Sequence, residues 1–222
     1  MARFSKLQVL GTIASTGMVP VFYHSDQETA RKVLSACYRG GVRAFEFTNR
    51  GDFAHEIFSS LVKYAREECP DMILGAGTVV DAGTASLYMQ CGADFIVGPL
   101  FNGDVARTCN RRLVPYIPGC GSVSEIGMAQ EYGCDICKIF PAGNVGGPSF
   151  VKNVLAPMPW TRILATGAVS PDRDNLSAWI KAGVTAVGMG SKLFPPEVIK
   201  AGQWDIITEL CSRSLSIIAE SR

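Results

Sequence analysis

The chain has 222 residues, 47% of them hydrophobic and 18% charged, enough for one sizeable core. Twenty-one basic against 20 acidic side chains give a formal net charge of +1, so composition offers no pull toward nucleic acid or an anionic membrane. No apolar run is long enough to span a bilayer, and Met1–Leu7 lacks the pattern of a secretory signal. The eight cysteines scatter through apolar segments, which predicts free thiols in a cytoplasmic protein.

The residues before Val19 are expected to form an extra helix that plugs or flanks the bottom of the fold. Dense apolar runs bounded by Gly, Pro, Thr or Asn then predict strands beginning near Val19, Ala44, Ile73, Phe95, Val114, Ile136, Ile163 and Ala186. Amphipathic helices fall between them. Ala30, Val33, Leu34, Cys37 and Tyr38 recur at helical spacing and stop at Gly40-Gly41. Ser122 to Glu125 reads as a capping box, and Ser170-Pro171-Asp172 as a helix start that Gly183 closes. Eight strand–helix units at intervals of roughly 25 residues predict an α/β protein, a single (β/α)8 TIM barrel over residues 1–222. An open doubly wound sheet is the runner-up.

In such a barrel the chemistry gathers where strands end. Glu46, Thr48 and Arg50 alternate with Phe45, Phe47 and Asn49, so period two sends the first three to one side. A structural ion pair is the plain reading of Glu46 and Arg50. Further on, Thr78 follows Gly75-Ala76-Gly77, Pro99 follows Gly98, and Gly119 follows Pro118. The last two ends, Thr166-Gly167 and Gly188-Met189-Gly190-Ser191, offer backbone N–H groups and hydroxyls that can cradle a phosphate. Glycine there also serves simply for tight turns.

Lys138 lies in Ile136-Cys137-Lys138-Ile139-Phe140, an otherwise buried strand pattern. It is either a lysine on a wet strand face or a desolvated amine poised to attack a carbonyl. A nucleophilic lysine must shed its proton, and both desolvation and a neighbouring Arg50 disfavour the ammonium. Glu46 suits proton transfer, and Arg50 with Thr78 suits a carboxylate. A carboxylate site, an imine-forming amine and a phosphate site together describe a phosphorylated 2-keto acid. Cys134-Asp135-Ile136-Cys137 matches C-x-x-C but runs into a strand and not onto a helix N-terminus, so no redox or metal role is expected.

The pieces Glu46-x-Thr48-x-Arg50, Gly75-Ala76-Gly77-Thr78-Val79, Ile117-Pro118-Gly119 and Lys138-Ile139-Phe140-Pro141-Ala142 occur in order, followed by Ala165-Thr166-Gly167 and Gly190-Ser191. From about Val19 to Phe194 the chain resembles the class I 2-keto-3-deoxy-6-phosphogluconate and 4-hydroxy-2-oxoglutarate aldolases. The resemblance implies a homotrimeric (β/α)8 barrel that needs no metal or other cofactor. It implies Lys138 as Schiff-base lysine and Glu46 as the proton-transfer residue. Arg50 and Thr78 would hold the pyruvate carboxylate, while Pro99 and Phe140 pack around the pyruvyl carbons. Thr166 would touch the aldehyde portion, and Gly167, Gly190 and Ser191 would bind phosphate.

The implied reaction is reversible cleavage of 2-keto-3-deoxy-6-phosphogluconate to pyruvate and glyceraldehyde 3-phosphate, or of 4-hydroxy-2-oxoglutarate to pyruvate and glyoxylate. Three places depart from the commoner pattern: Gly98-Pro99-Leu100 in place of Ser-Pro-Gly, Gly143 in place of Glu, and Ala168 in place of a second Gly after Thr166. They touch the aldehyde end and not the pyruvate end. A sugar-phosphate isomerase or epimerase on a similar barrel, and a non-catalytic anion-binding barrel, are the rival readings.

Overall fold

The computed structural model describes residues 2–222; Met1, the first residue of the expected domain, lies outside them. Nine strands form one sheet: β1 Met18–Phe22, β2 Ala44–Thr48, β3 Ile73–Gly77, β4 Phe95–Val97, β5 Tyr116–Ile117, β6 Gly119–Cys120, β7 Cys137–Ile139, β8 Ile163–Thr166 and β9 Ala186–Met189. Their order is β5-β4-β3-β2-β1-β9-β8-β7-β6, and every pairing is parallel. Only Pro118 separates β5 from β6, so the two ends of that order are one interrupted strand. β5 pairs with β4 on one side and β6 with β7 on the other. The split follows from proline chemistry, because Pro118 has no N–H for the ladder; its carbonyl still accepts from the Lys138 N–H at 2.8 Å. The result is a (β/α)8 barrel with eight strand positions.

Strand onsets follow the apolar runs within a residue or two. The largest slip is at Val114, whose N–H bonds back to the Cys109 carbonyl at 3.1 Å and closes the preceding helix, so pairing starts at Tyr116. That helix is α5, Gly103–Asn110, fifth after α1 Lys6–Thr16, α2 Gln27–Arg39, α3 Ala54–Glu68 and α4 Ala82–Gln90. It is followed by α6 Val123–Glu131, α7 Gly147–Leu155, α8 Arg173–Lys181, α9 Pro196–Lys200 and α10 Trp204–Glu220.

Two cores result. The inner one joins Val9 and Ile13 of α1 to Val19, Ala44, Phe95 and Leu164 of the strands, so the extra helix plugs the bottom of the barrel. Burying Val9 and Ile13 fully is worth about 1.5–3 kcal/mol each. The outer core holds Phe45, Phe47, Phe58, Tyr88 and Trp179 between strands and helices. Ala44 in the inner core and Phe45 and Phe47 in the outer one fix the pleat of β2, so Glu46 and Thr48 point into the lumen.

Two helix starts differ in detail from the sequence reading. Asp172, not Ser170, is the N-cap of α8, and Ser170 Oγ donates to its carboxylate at 2.6 Å. Ser122 caps α6, but Glu125 reaches past it to accept from the Gly121 N–H at 2.6 Å.

Candidate active site

Lys138 occupies the middle of β7. Its neighbours Cys137 and Ile139 belong to the outer core and Ile136 to the inner one, so the pleat turns Lys138 inward. There it is 5% exposed, which settles the choice between wet face and interior. Glu46 comes from β2, four positions around the barrel, and so from the opposite wall. The two side chains meet across the lumen, Lys138 Nζ standing 3.6 Å from Glu46 Oε1. The Phe140 ring lies 5.2 Å from the same nitrogen, a contact worth about 0.5–2 kcal/mol.

Glycines make this meeting possible. A methyl at Gly77 of β3 would fall on the Glu46 carboxylate, and one at Gly188 of β9 would strike the Thr166 hydroxyl. Gly75 similarly receives the Phe95 ring. Each inward glycine thus makes room for a side chain of a neighbouring strand.

Among the described residues, three buried side-chain polar atoms lack a hydrogen-bond partner, and two are Glu46 Oε2 and Thr166 Oγ1. Unpaired buried polar atoms cost about 1–3 kcal/mol each and call for a reason. Both belong to side chains that point inward. Glu46 therefore has one oxygen toward the amine and a second free for another group. Thr166 sits two residues beyond Leu164, the partner of Lys138 in the ladder, so it lies just above the amine on the adjoining strand.

Above Thr166 a cleft of about 310 Å³ opens at the C-terminal ends of the strands. Five of the residues singled out from sequence line it: Arg50, Thr166, Gly167, Gly190 and Ser191. Arg50 is exposed and lines this cleft together with Ser191, and among the described residues it makes no ion pair with Glu46. Thr78, Pro99 and Phe140 are half-buried at the ends of their strands and do not line it. Thr78 holds φ at +61°, a costly conformation for a β-branched residue. Among the described residues, no backbone carbonyl accepts from the N–H groups of Gly167, Ala168, Ser191 or Lys192. They remain free for an anion.

Gly188 and Ala168, also named from sequence, line the cleft as well, whereas sequence reasoning did not single out its remaining members Val21, Val169 and Lys192. Lys192 could have been found by its place directly after Ser191. A larger hollow, about 680 Å³, lies at the other end of the barrel among Phe4, Leu7, Met89 and Leu113. It is mostly apolar and remote from Lys138.

The C-x-x-C thiols are buried, and burial pushes Cys134 up to about 12, which keeps it protonated. Among the described residues, no three His, Cys, Asp or Glu side chains are placed to hold a metal ion, and no helix is long and apolar enough to cross a membrane.

Comparison with known proteins points the same way. The family model described as KDPG and KHG aldolase matches residues 10–210. The 2-dehydro-3-deoxy-phosphogluconate aldolase of Treponema pallidum (strain Nichols) is 33% identical over 201 residues, 90% of this chain and 93% of that one. The KHG/KDPG aldolase of Escherichia coli (strain K12) is 32% identical over 207 residues, 92% and 93% of the two chains. Among solved structures, KDPG aldolase from Legionella pneumophila, with pyruvate captured at low pH as a covalent carbinolamine intermediate, superposes with a TM-score of 0.83. It is 29% identical, covering 91% of this chain and 96% of that one.

Proposed function

The chain belongs to the KDPG and KHG aldolase family, and from that premise we propose how its own residues carry out aldol cleavage. The enzyme is a carbon–carbon lyase of the Schiff-base class. The observation that carries the residue assignment is the buried Lys138 amine 3.6 Å from the Glu46 carboxylate, beneath an open cleft.

The unprotonated Lys138 amine adds to the C2 ketone of a 2-keto acid, giving a carbinolamine. Loss of water leaves a protonated imine, which serves as an electron sink. Glu46, directly or through a water, takes the proton of the C4 hydroxyl. The C3–C4 electron pair flows into the imine as that bond breaks, releasing an aldehyde and leaving an enamine. Protonation of the enamine at C3 and hydrolysis of the imine return the amine and release pyruvate.

Arg50 and Thr78 bind the carboxylate, with Pro99 and Phe140 around the pyruvyl carbons. Thr166 faces the aldehyde portion. The free N–H groups at Gly167 and Ser191, with Gly190 lining the cleft between the strand ends, support a phosphate there, so the substrate is 2-keto-3-deoxy-6-phosphogluconate, with 4-hydroxy-2-oxoglutarate as the second candidate. The working protein is a cytoplasmic homotrimer; Val80, Leu87 and Leu100 are large apolar side chains left exposed on one chain.

Borohydride reduction in the presence of pyruvate, followed by peptide mass mapping, tests the assignment. A stable adduct on Lys138 is expected, and Lys138→Ala should abolish cleavage while the protein still folds. An adduct on another lysine, or turnover by Lys138→Ala above background, would overturn it.

A further inference from the structure

Among the described residues, Arg50 and Lys192 are the only charged side chains lining the mouth cleft, and no carboxylate shares the cleft with them. Arg50 follows β2 and Lys192 follows β9, the two strands on either side of β1, so the two cations flank the end of β1. Among the described residues neither makes an ion pair. Two unpaired cations facing one concavity repel each other and attract an anion. An independent feature points to a ligand at the same place. Thr166 lines the cleft and is more than nine-tenths buried, and its buried hydroxyl has no partner.

We propose that Lys192 is a specificity-determining residue that selects substrates whose aldehyde end carries a phosphate dianion. The inference rests on the aldolase reading for the identity of the substrate, but the anion preference of the cleft does not. Backbone N–H groups and a hydroxyl bind an anionic oxygen more strongly than a neutral one, but they carry no net charge to balance a dianion. A lysine ammonium answers to charge itself, and a dianion gains about twice what a monoanion does. Arg50 cannot draw that distinction alone, because it is also needed at the keto-acid carboxylate.

The test compares wild type, Lys192→Met and Lys192→Arg on 2-keto-3-deoxy-6-phosphogluconate and on its unphosphorylated counterpart. For Lys192→Met, the ratio of kcat/KM for the phosphorylated over the unphosphorylated substrate should fall at least tenfold. The loss should lie in KM and not in kcat, and Lys192→Arg should restore most of it. Because Lys192 is exposed, added salt should erode the wild-type preference more than that of Lys192→Met. Calorimetric titration with inorganic phosphate reads the cleft without turnover and should show weaker binding to Lys192→Met. An unchanged ratio, equal losses on both substrates, or equal phosphate affinity would overturn the proposal. If pyruvate trapping fails at Lys138 while phosphate binding still depends on Lys192, the aldolase assignment falls and the anion site stands.

Discussion

Gly77 ends β3 directly against the Glu46 carboxylate, so Gly77→Ala perturbs the proposed catalytic pair without replacing either partner. The new methyl would come within 2.6 Å of Glu46 Cδ and 2.7 Å of Cγ. Carbon atoms pack comfortably at about 3.5–4.0 Å, so the carboxylate must retreat by about 1 Å. Glu46 is 1% exposed and has little free space to retreat into. Overpacking of this kind costs about 1–3 kcal/mol, less than the roughly 5–15 kcal/mol of a typical domain, so the barrel should still fold. A misplacement of about 1 Å at a catalytic group costs on the order of 100-fold in rate.

Steady-state cleavage with pyruvate detection should therefore show kcat reduced by about 100-fold, with a normal circular dichroism spectrum. Borohydride with pyruvate should still label Lys138, because Gly77→Ala displaces Glu46, the proposed proton-transfer group, and leaves the proposed nucleophile in place. Glu46→Gln should lose a comparable amount, and the double variant little more than either alone, since both changes disable one function. A Gly77→Ala enzyme with near-normal kcat would refute the reasoning, as would losses that multiply in the double variant.

Two further outcomes concern the frame around the site. A Cβ at Gly143 would lie 2.5 Å from the Ala168 methyl, and Ala168 itself holds φ at +61°. Gly143→Ala should destabilise by about 1–3 kcal/mol, and adding Ala168→Gly should recover most of it; additive losses in denaturant melts would separate the two positions. Asp94 is 4% exposed and accepts from the N–H groups of Arg3, Phe4 and Leu74. Burial raises its pKa above the usual 3.8 and outweighs the lowering by those donors. The native state therefore holds the proton more tightly than the unfolded chain, and Asp94 contributes most stability below its unfolded pKa. That contribution is lost as pH rises through the raised native value. Wild-type stability relative to Asp94→Asn, from urea midpoints across acidic pH, should fall as pH increases; a rise would contradict the assignment.

The barrel was legible because its signal is local. Each strand is a short apolar run closed by a turn residue, and each helix carries its own period and stop. Gly40, which caps α2, is such a stop. Where the reading slipped, the deciding contact came from elsewhere or from a competing side chain. Val114 is drawn back onto α5, and Asp172 takes the cap that Ser170 could also have supplied. Pro118 splits one barrel position into β5 and β6, a consequence visible only once both neighbouring strands are in place.

The site was legible to the extent that it depends on a residue's own strand. Period two in Phe45–Thr48 is enough to turn Glu46 inward, and the same rule turns Lys138 inward between Cys137 and Ile139. What one strand cannot encode is which side chains meet across the lumen. The 3.6 Å approach of Lys138 and Glu46 joins opposite walls. It needs Gly77 on a third strand to leave room. Seen alone, Gly77 is a turn residue with no chemistry; in the barrel it is the missing side chain that lets Glu46 stand where it does. Lys192 was overlooked for a related reason. A lysine after a glycine turn reads as solvated surface until register brings Arg50, two strands away, into the same cleft. Chemistry carried by a residue type can be read along the chain, whereas chemistry carried by the absence of a side chain, or by a shared concavity, emerges only when the sheet closes.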